Sequence, residues 1–196
     1  MNVRCFVAVE PEPVLRETLS RASVLLRGAA PDWTGEKWVP SANLHATLRF
    51  LGELRECLLP SLQAELAAAT TLLRPFSLPF GAIAGSPSAD RCRIVWARFD
   101  DSAGEFRMAA SALSRAISRH ADSPDPRPAL PHVTLCRARR PHPIPQSALD
   151  EATRLMSCTN PTMSVASVTL FASRLTPGGP VYKGLGTWHL GGSDTS

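Results

Sequence analysis

The tripeptide pattern His-x-Thr occurs twice, each time inside an apolar run with the look of a strand: "NLHATLRFLGE" (43–53) and "PHVTL" (131–135). In a strand, residues i and i+2 point to the same face. His45, Thr47 and Arg49 then share one face, and Leu44, Ala46, Leu48 and Phe50 share the other. By the same alternation His132 and Thr134 lie opposite Val133 and Leu135. The two histidines are 132 − 45 = 87 positions apart. A fold that accepts this chain must bury two such strands on one side and leave an imidazole and a hydroxyl open on the other, twice.

The surroundings repeat as well. "VRCFVAV" (3–9) and "RIVWARF" (93–99) read as short buried strands whose starts are 93 − 3 = 90 positions apart. A helical stripe of Val14, Leu15, Leu19, Ala22, Leu25 and Leu26 follows the first, with Pro11 and Pro13 at its start and Gly28 near its end. Phe106, Ala109, Ala110, Leu113, Ala116 and Ile117 follow the second. Behind the His-x-Thr strands, residues 59–73 and 146–157 are helical by the same spacing. "FSLPFGAI" (76–83) reads as a strand pushed towards an edge or bulge by Pro79, "MSVASVTLFAS" (163–173) as one half-buried strand, "TPGGPVY" (176–182) as a turn, and "TWHL" as the closing stretch. A near-constant offset predicts two equivalent lobes, roughly 1–84 and 93–196, within one bilobal domain over 1–196, with exchange of a strand between lobes open. Residues 121–131, "ADSPDPRPALP", form a Pro-rich loop leading into His132.

Two imidazoles facing one another suit phosphoryl chemistry. Each can act as acid or base near neutral pH. Cleaving a phosphodiester with water needs one proton removed and one delivered. Thr47 and Thr134, with an arginine, can hold the non-bridging oxygens. No GxSxG, P-loop, GxGxxG or CxxC is present, and no HxxxH or carboxylate cluster suggests a metal site. No metal or cofactor is expected. A net charge of +4 favours a phosphate-bearing partner. An odd number of scattered cysteines, five, fits reduced thiols. The apolar run at the N-terminus is too short for a signal peptide or membrane span. A cytoplasmic, soluble monomer with no membrane or obligate protein partner is the expectation.

Several blocks in order, "RCFVAVEPEPVLRETL", "KWVPSANLHATLRFLGE", "RIVWARF", "PHVTLCRARR" and "LFASRLTPGGPVYKGLGTW", resemble the two-histidine phosphoesterase superfamily. Within it they are similar to the bacterial and archaeal RNA 2′,3′-cyclic phosphodiesterases, historically called 2′-5′ RNA ligases. The resemblance implies a two-lobed, pseudo-symmetric α+β fold, with two antiparallel sheets facing across a central cleft and helices outside. It implies hydrolysis of an RNA 2′,3′-cyclic phosphate end to a 2′-phosphate without a cofactor, and, in some relatives, 2′-5′ joining as the reverse reaction. His45 would be the proton donor and His132 the acceptor. Thr47 and Thr134 would bind the phosphate. Arg137 is favoured as a substrate contact by the resemblance and Arg49 by strand geometry; Tyr182 and Trp38 offer base-stacking surfaces. A non-catalytic RNA-end or nucleotide-binding protein, and a phosphodiesterase for a small cyclic nucleotide, remain open alternatives.

Overall fold

Apolar runs of strand length and stripes of helical spacing alternate along the chain. The computed structural model, which describes residues 1–120, 129–176 and 179–192, turns them into strands and helices in that order. The elements are β1 (Asn2–Val9), α1 (Pro13–Ala29), β2 (Lys37–Trp38), β3 (Ala46–Arg55), α2 (Leu59–Thr71), β4 (Phe76–Ser86), β5 (Cys92–Phe99), α3 (Glu105–Ala116), β6 (His132–His142), α4 (Gln146–Ser157), β7 (Thr162–Val165), β8 (Ser167–Thr176) and β9 (Gly179–His189). The result is the expected α+β fold with antiparallel pairing throughout.

The strand order is β7-β4-β5-β6-β3-β1-β8-β9, with β2 beside β6. Its middle is a seam. There β3 and β6 meet at a single register pair, Ala46 with Val133. Outward from the seam the two sides mirror each other: β3-β1-β8-β9 on one, β6-β5-β4-β7 on the other. Each side borrows a strand. β8, late in the chain, pairs with β1, and β4, from the first half, pairs with β5.

This exchange corrects two local expectations. "MSVASVTLFAS" is not one strand. It breaks at Ala166, whose carbonyl accepts the Leu190 N–H, so that β7 can pair with β4 while β8 pairs with β1. β4 is not an edge strand either. Pro79 is tolerated because it stands where β4 changes partner, ending its ladder with β7 and beginning the one with β5 at Phe80. A register irregularity between Phe80 and Ala82 supplies the bulge. In "TPGGPVY", Pro177 and Gly178 lie outside the described residues, and residues from 179 onward belong to β9 rather than to a turn. Residues 121–128 of the Pro-rich loop also lie outside the described residues.

One face of the central strands is apolar and packs against the helices. Val7, Val9, Ala46, Leu48, Val95, Ala97, Val133 and Leu135 are all buried there. The helices answer with Leu15, Leu19 and Leu26 of α1, Leu62 and Leu66 of α2, Phe106 and Leu113 of α3, and Leu149 and Met156 of α4. All five cysteines are free thiols. Among the described residues no helix is long and apolar enough to cross a membrane.

Helix α3 is preceded at its N-cap by Gly104, which adopts a positive φ and has no side chain to cap the helix. The buried Asp101 carboxylate fills that role, accepting from the N–H groups of Phe106 (2.9 Å) and Arg107 (3.2 Å). Asp101→Ala leaves these donors unmet and is expected to cost about 1–2 kcal/mol in urea unfolding. An unchanged midpoint would show that solvent or a shifted neighbour caps the helix instead.

Candidate active site

The two histidines are held in the same way. His45 Nδ1–H donates to the Asn43 carbonyl at 2.7 Å, and His132 Nδ1–H to the Leu130 carbonyl at 2.8 Å. Each bond reaches back two residues. It fixes the ring and leaves Nε2 as the nitrogen that can trade a proton. Each ring also rests on an aromatic residue of the neighbouring strand. Phe6 lies 4.9 Å from His45, centroid to centroid, and Trp96 lies 4.6 Å from His132.

The seam brings the rings together. Ala46 opposes Val133, so His45 and Thr47 flank one member of that single pair and Thr134 and His132 flank the other; continuing the antiparallel register one step would face His45 to Thr134 and Thr47 to His132. All four residues share the face opposite the buried Ala46 and Val133. Diagonal neighbours in such a pair lie about 7–8 Å apart at Cα, a gap that suits a phosphate between two imidazoles. Burial is the main force lowering the His45 pKa, and positive charge on His132 lowers it further.

Matching bulges then decide where the arginines go. In β3, Thr47 pairs with Ala8 and Arg49 with Val7, so Leu48 is the extra residue. In β6, Thr134 pairs with Trp96 and Cys136 with Val95, so Leu135 is extra. Each bulge reverses the alternation beyond the threonine. Arg137 is thereby turned to the histidine face, where its guanidinium donates to Thr134 Oγ1 at 3.4 Å. The expectation for Arg49 is reversed by the same effect. It pairs with Val7 of the core face and is buried, at 7% exposure. The histidine face receives Phe50 instead, 52% exposed and 6.1 Å from Phe6. Phe50 also refutes its own assignment to the buried face.

The cleft is thus unlike on its two sides. Around His45 it is aromatic: Tyr182 meets the imidazole edge-on at 5.2 Å, and Phe171 stacks on Phe6. Beside His132 lies a cavity of about 240 Å³ lined by Trp96, Arg98, Asp100, Asp101 and Arg107 among others. Burial is the main force pushing both histidine pKa values down, opposed by their carbonyl hydrogen bonds. Arg137 pushes both down further. Burial raises the Tyr182 phenol, which stays protonated.

The other singled-out aromatics and histidines pack. Trp38 Nε1 donates to the Trp33 carbonyl (2.8 Å), His142 stacks on Trp33 at 4.4 Å, and His120 lies 2.9 Å from the Glu65 carboxylate. His189 is exposed in β9. Among the described residues no group of three or more His, Cys, Asp or Glu side chains is gathered to hold a metal. The sequence alone assigned no site role to Phe6, Trp96, Glu10 or Arg98, and placed Phe50 on the opposite face. Phe50, Trp96, Glu10 and Arg98 need the cross-strand register to be placed.

Known proteins share this organisation. An RNA 2′,3′-cyclic phosphodiesterase of Aeropyrum pernix is 33% identical over 150 residues, 76% of this chain and 83% of that protein. One of Archaeoglobus fulgidus is 30% identical, covering 93% and 98% of the two chains. Among solved structures, TT0787 of Thermus thermophilus superposes with a TM-score of 0.77 at 27% identity over 97% of this chain and 100% of that one. E. coli LigT complexed with 3′-AMP does so at 0.72 and 22%, over 97% and 99%, a likeness of fold. The model of the LigT-like phosphoesterases matches residues 10–96 and again 100–182, one His-x-Thr in each stretch, and the chain belongs to that family, within the two-histidine phosphoesterases.

Proposed function

We propose that the protein hydrolyses the 2′,3′-cyclic phosphate at an RNA end to a 2′-phosphate by metal-independent acid–base catalysis. The observation that carries this reading is the pair of Nε2 atoms, each freed by an identical Nδ1 hydrogen bond and brought across one seam. Water attacks phosphorus and gives its proton to His132. The P–O3′ bond breaks, and O3′ takes a proton from His45. The Thr47 and Thr134 hydroxyls and the Arg137 guanidinium hold the non-bridging oxygens as charge builds on them. Tyr182, beside His45, faces the nucleoside of the leaving oxygen. Relatives named for this reaction cover most of the chain and support it.

We further propose that residues 1–196 act as a single bilobal unit, a cytoplasmic monomer whose partner is an RNA end. The scattered free thiols and the reciprocal strand exchange support that picture.

The pH dependence follows from the directions of the shifts. His132 must be neutral and His45 protonated, so kcat/KM is bell-shaped, centred between the two pKa values. Both rings are pushed below the ordinary histidine value. The optimum is therefore expected on the acid side of about pH 6.5. A short RNA with a 2′,3′-cyclic phosphate, incubated with and without chelator across pH, tests the whole reading. The expected product is the 2′-phosphate at equal rates in both arms. A 3′-phosphate product, or turnover abolished by chelator, contradicts it.

A further inference from the structure

A near-symmetric pair of histidines poses a problem of identity, since one must arrive protonated and the other neutral. Two residues outside the His-x-Thr motifs break the tie. In the β5–β6 ladder, Arg98 pairs directly with His132. In the β1–β3 ladder, the last pair is Val9 with Ala46; Glu10 and His45 are the residues just beyond it, one on each strand's end, and Glu10 is near enough for its charge to act on His45. The two ladders correspond: Ala8 with Thr47 matches Trp96 with Thr134, and Val9 with Ala46 matches Ala97 with Val133. Glu10 and Arg98 therefore occupy the same place in the two halves, 98 − 10 = 88 positions apart. Their charges are opposite. Directly opposed residues in an antiparallel pair, as Arg98 and His132 are, have Cβ atoms about 4.5–5.5 Å apart, close enough for one charge to bias the next.

We propose that Glu10 and Arg98 are positioning residues that assign the two histidines their roles, the carboxylate keeping His45 as the acid and the guanidinium keeping His132 as the base. The assignment rests on the reading of His45 and His132 given above. Glu10 is itself fixed. Its Oε1 accepts from Arg16 and its Oε2 from Thr169 Oγ1, each at 3.3 Å. Arg98 makes no hydrogen bond or ion pair among the described residues, although it is a backbone partner of both β4 and β6.

Of the other charges near the rings, Arg137 depresses both and does not discriminate between them, while positive charge on His132 lowers His45 and so opposes Glu10. Glu10 acts on His45 and raises it, while Arg98 acts on His132 and lowers it. Arg16 tempers the Glu10 charge through their ion pair. Asp101, in the cavity beside His132, is committed to helix α3 and to Arg107, and Asp100 accepts from the Ser102 N–H. The Tyr182 phenol is neutral, its pKa raised by burial.

Glu10→Gln and Arg98→Gln test this. Glutamine in place of Glu10 keeps an acceptor for Thr169 and removes only the charge. Both charges are partly solvated, which limits each effect to about half to one pH unit and makes it shrink in high salt. The first readout is the NMR titration of the two imidazole rings in the unliganded protein. Glu10→Gln is expected to lower the His45 pKa and leave His132 in place; Arg98→Gln is expected to raise His132 and leave His45 in place. The second readout is kcat/KM against pH. The Glu10 variant should draw in the alkaline limb, where the acid is lost, and the Arg98 variant the acidic limb, where the base is lost. The double exchange Glu10→Arg with Arg98→Glu should depress His45 and raise His132 together.

Rings that do not move, or that move together in both variants, overturn the proposal even if the enzyme is fully active. A purely structural role would lower the rate at every pH without displacing either limb, which also overturns it. If the rings separate as expected but no cyclic phosphate is opened, the charge asymmetry stands and the proposed reaction fails.

Discussion

Replacing His45 or His132 with alanine is expected to slow opening of a cyclic-phosphate RNA end by about 10³-fold, within the range for loss of one positioned acid or base. Both transfers belong to one displacement, so the double variant should be little worse than either single one. The fold should persist. Each ring is only partly buried, and its packing against Phe6 or Trp96 is worth about 0.5–1.5 kcal/mol. Single-turnover rates with a thermal midpoint for each variant separate the two effects. A phosphodiester with a p-nitrophenolate leaving group separates the roles. That group needs no proton, so the deficit of His45→Ala should largely disappear with it while that of His132→Ala remains. Equal rescue of both variants would refute the division of labour, and activity within tenfold of the parent would remove the histidines from the chemistry altogether.

Arg137→Gln is the second large effect. The guanidinium bonds Thr134 and acts on both histidines, so it stands where charge accumulates on the phosphorane oxygens. Losing one such donor costs about 10²–10³-fold in kcat. The pH profile moves too. Arg137 lowers both imidazole pKa values, so its removal raises both, and the optimum should shift towards alkaline pH. Arg137→Lys keeps the charge but not the planar fork. It should restore the position of the profile and leave the rate deficit. Arg49→Gln is the control. Its side chain is buried across from Val7, so its loss should lower stability and leave the profile where it was. A profile displaced by Arg49→Gln, and not by Arg137→Gln, would exchange the two assignments.

Those two arginines mark the boundary of what a sequence read by alternation can yield. Alternation groups His45 with Thr47 and His132 with Thr134 because Thr47, His132 and Thr134 lie in regular strand and His45 stands immediately before β3. Helix α4 was legible to the residue in its bounds, 146–157; of the four residues whose spacing turns them inward, Leu149, Ala152 and Met156 are buried and Leu155 is partly buried. Past the threonines, the matching bulges at Leu48 and Leu135 flip the period, and alternation places Arg49 and Phe50 on the wrong faces. Nothing local signals a bulge when the extra residue is another leucine. The break at Ala166 was hidden for a similar reason. β7 and β8 are both apolar and alternating, and only their different partners, β4 and β1, divide them. Glu10 and Arg98 required the longest chain of inference, since each acquires meaning from a residue more than thirty positions away.

The reciprocal loan of β4 and β8 has a consequence for how the molecule comes into being. As the chain emerges from a ribosome, β1 and β3 can zip together early, but the outer edge of β1 stays bare until β8, residues 167–176, arrives. Neither half can therefore seal its hydrogen bonds while the other is still unmade. Pairing across so much sequence slows folding and leaves an edge open to wrong neighbours in the meantime. The β1 side of the cleft is therefore completed only once β8 has been synthesised.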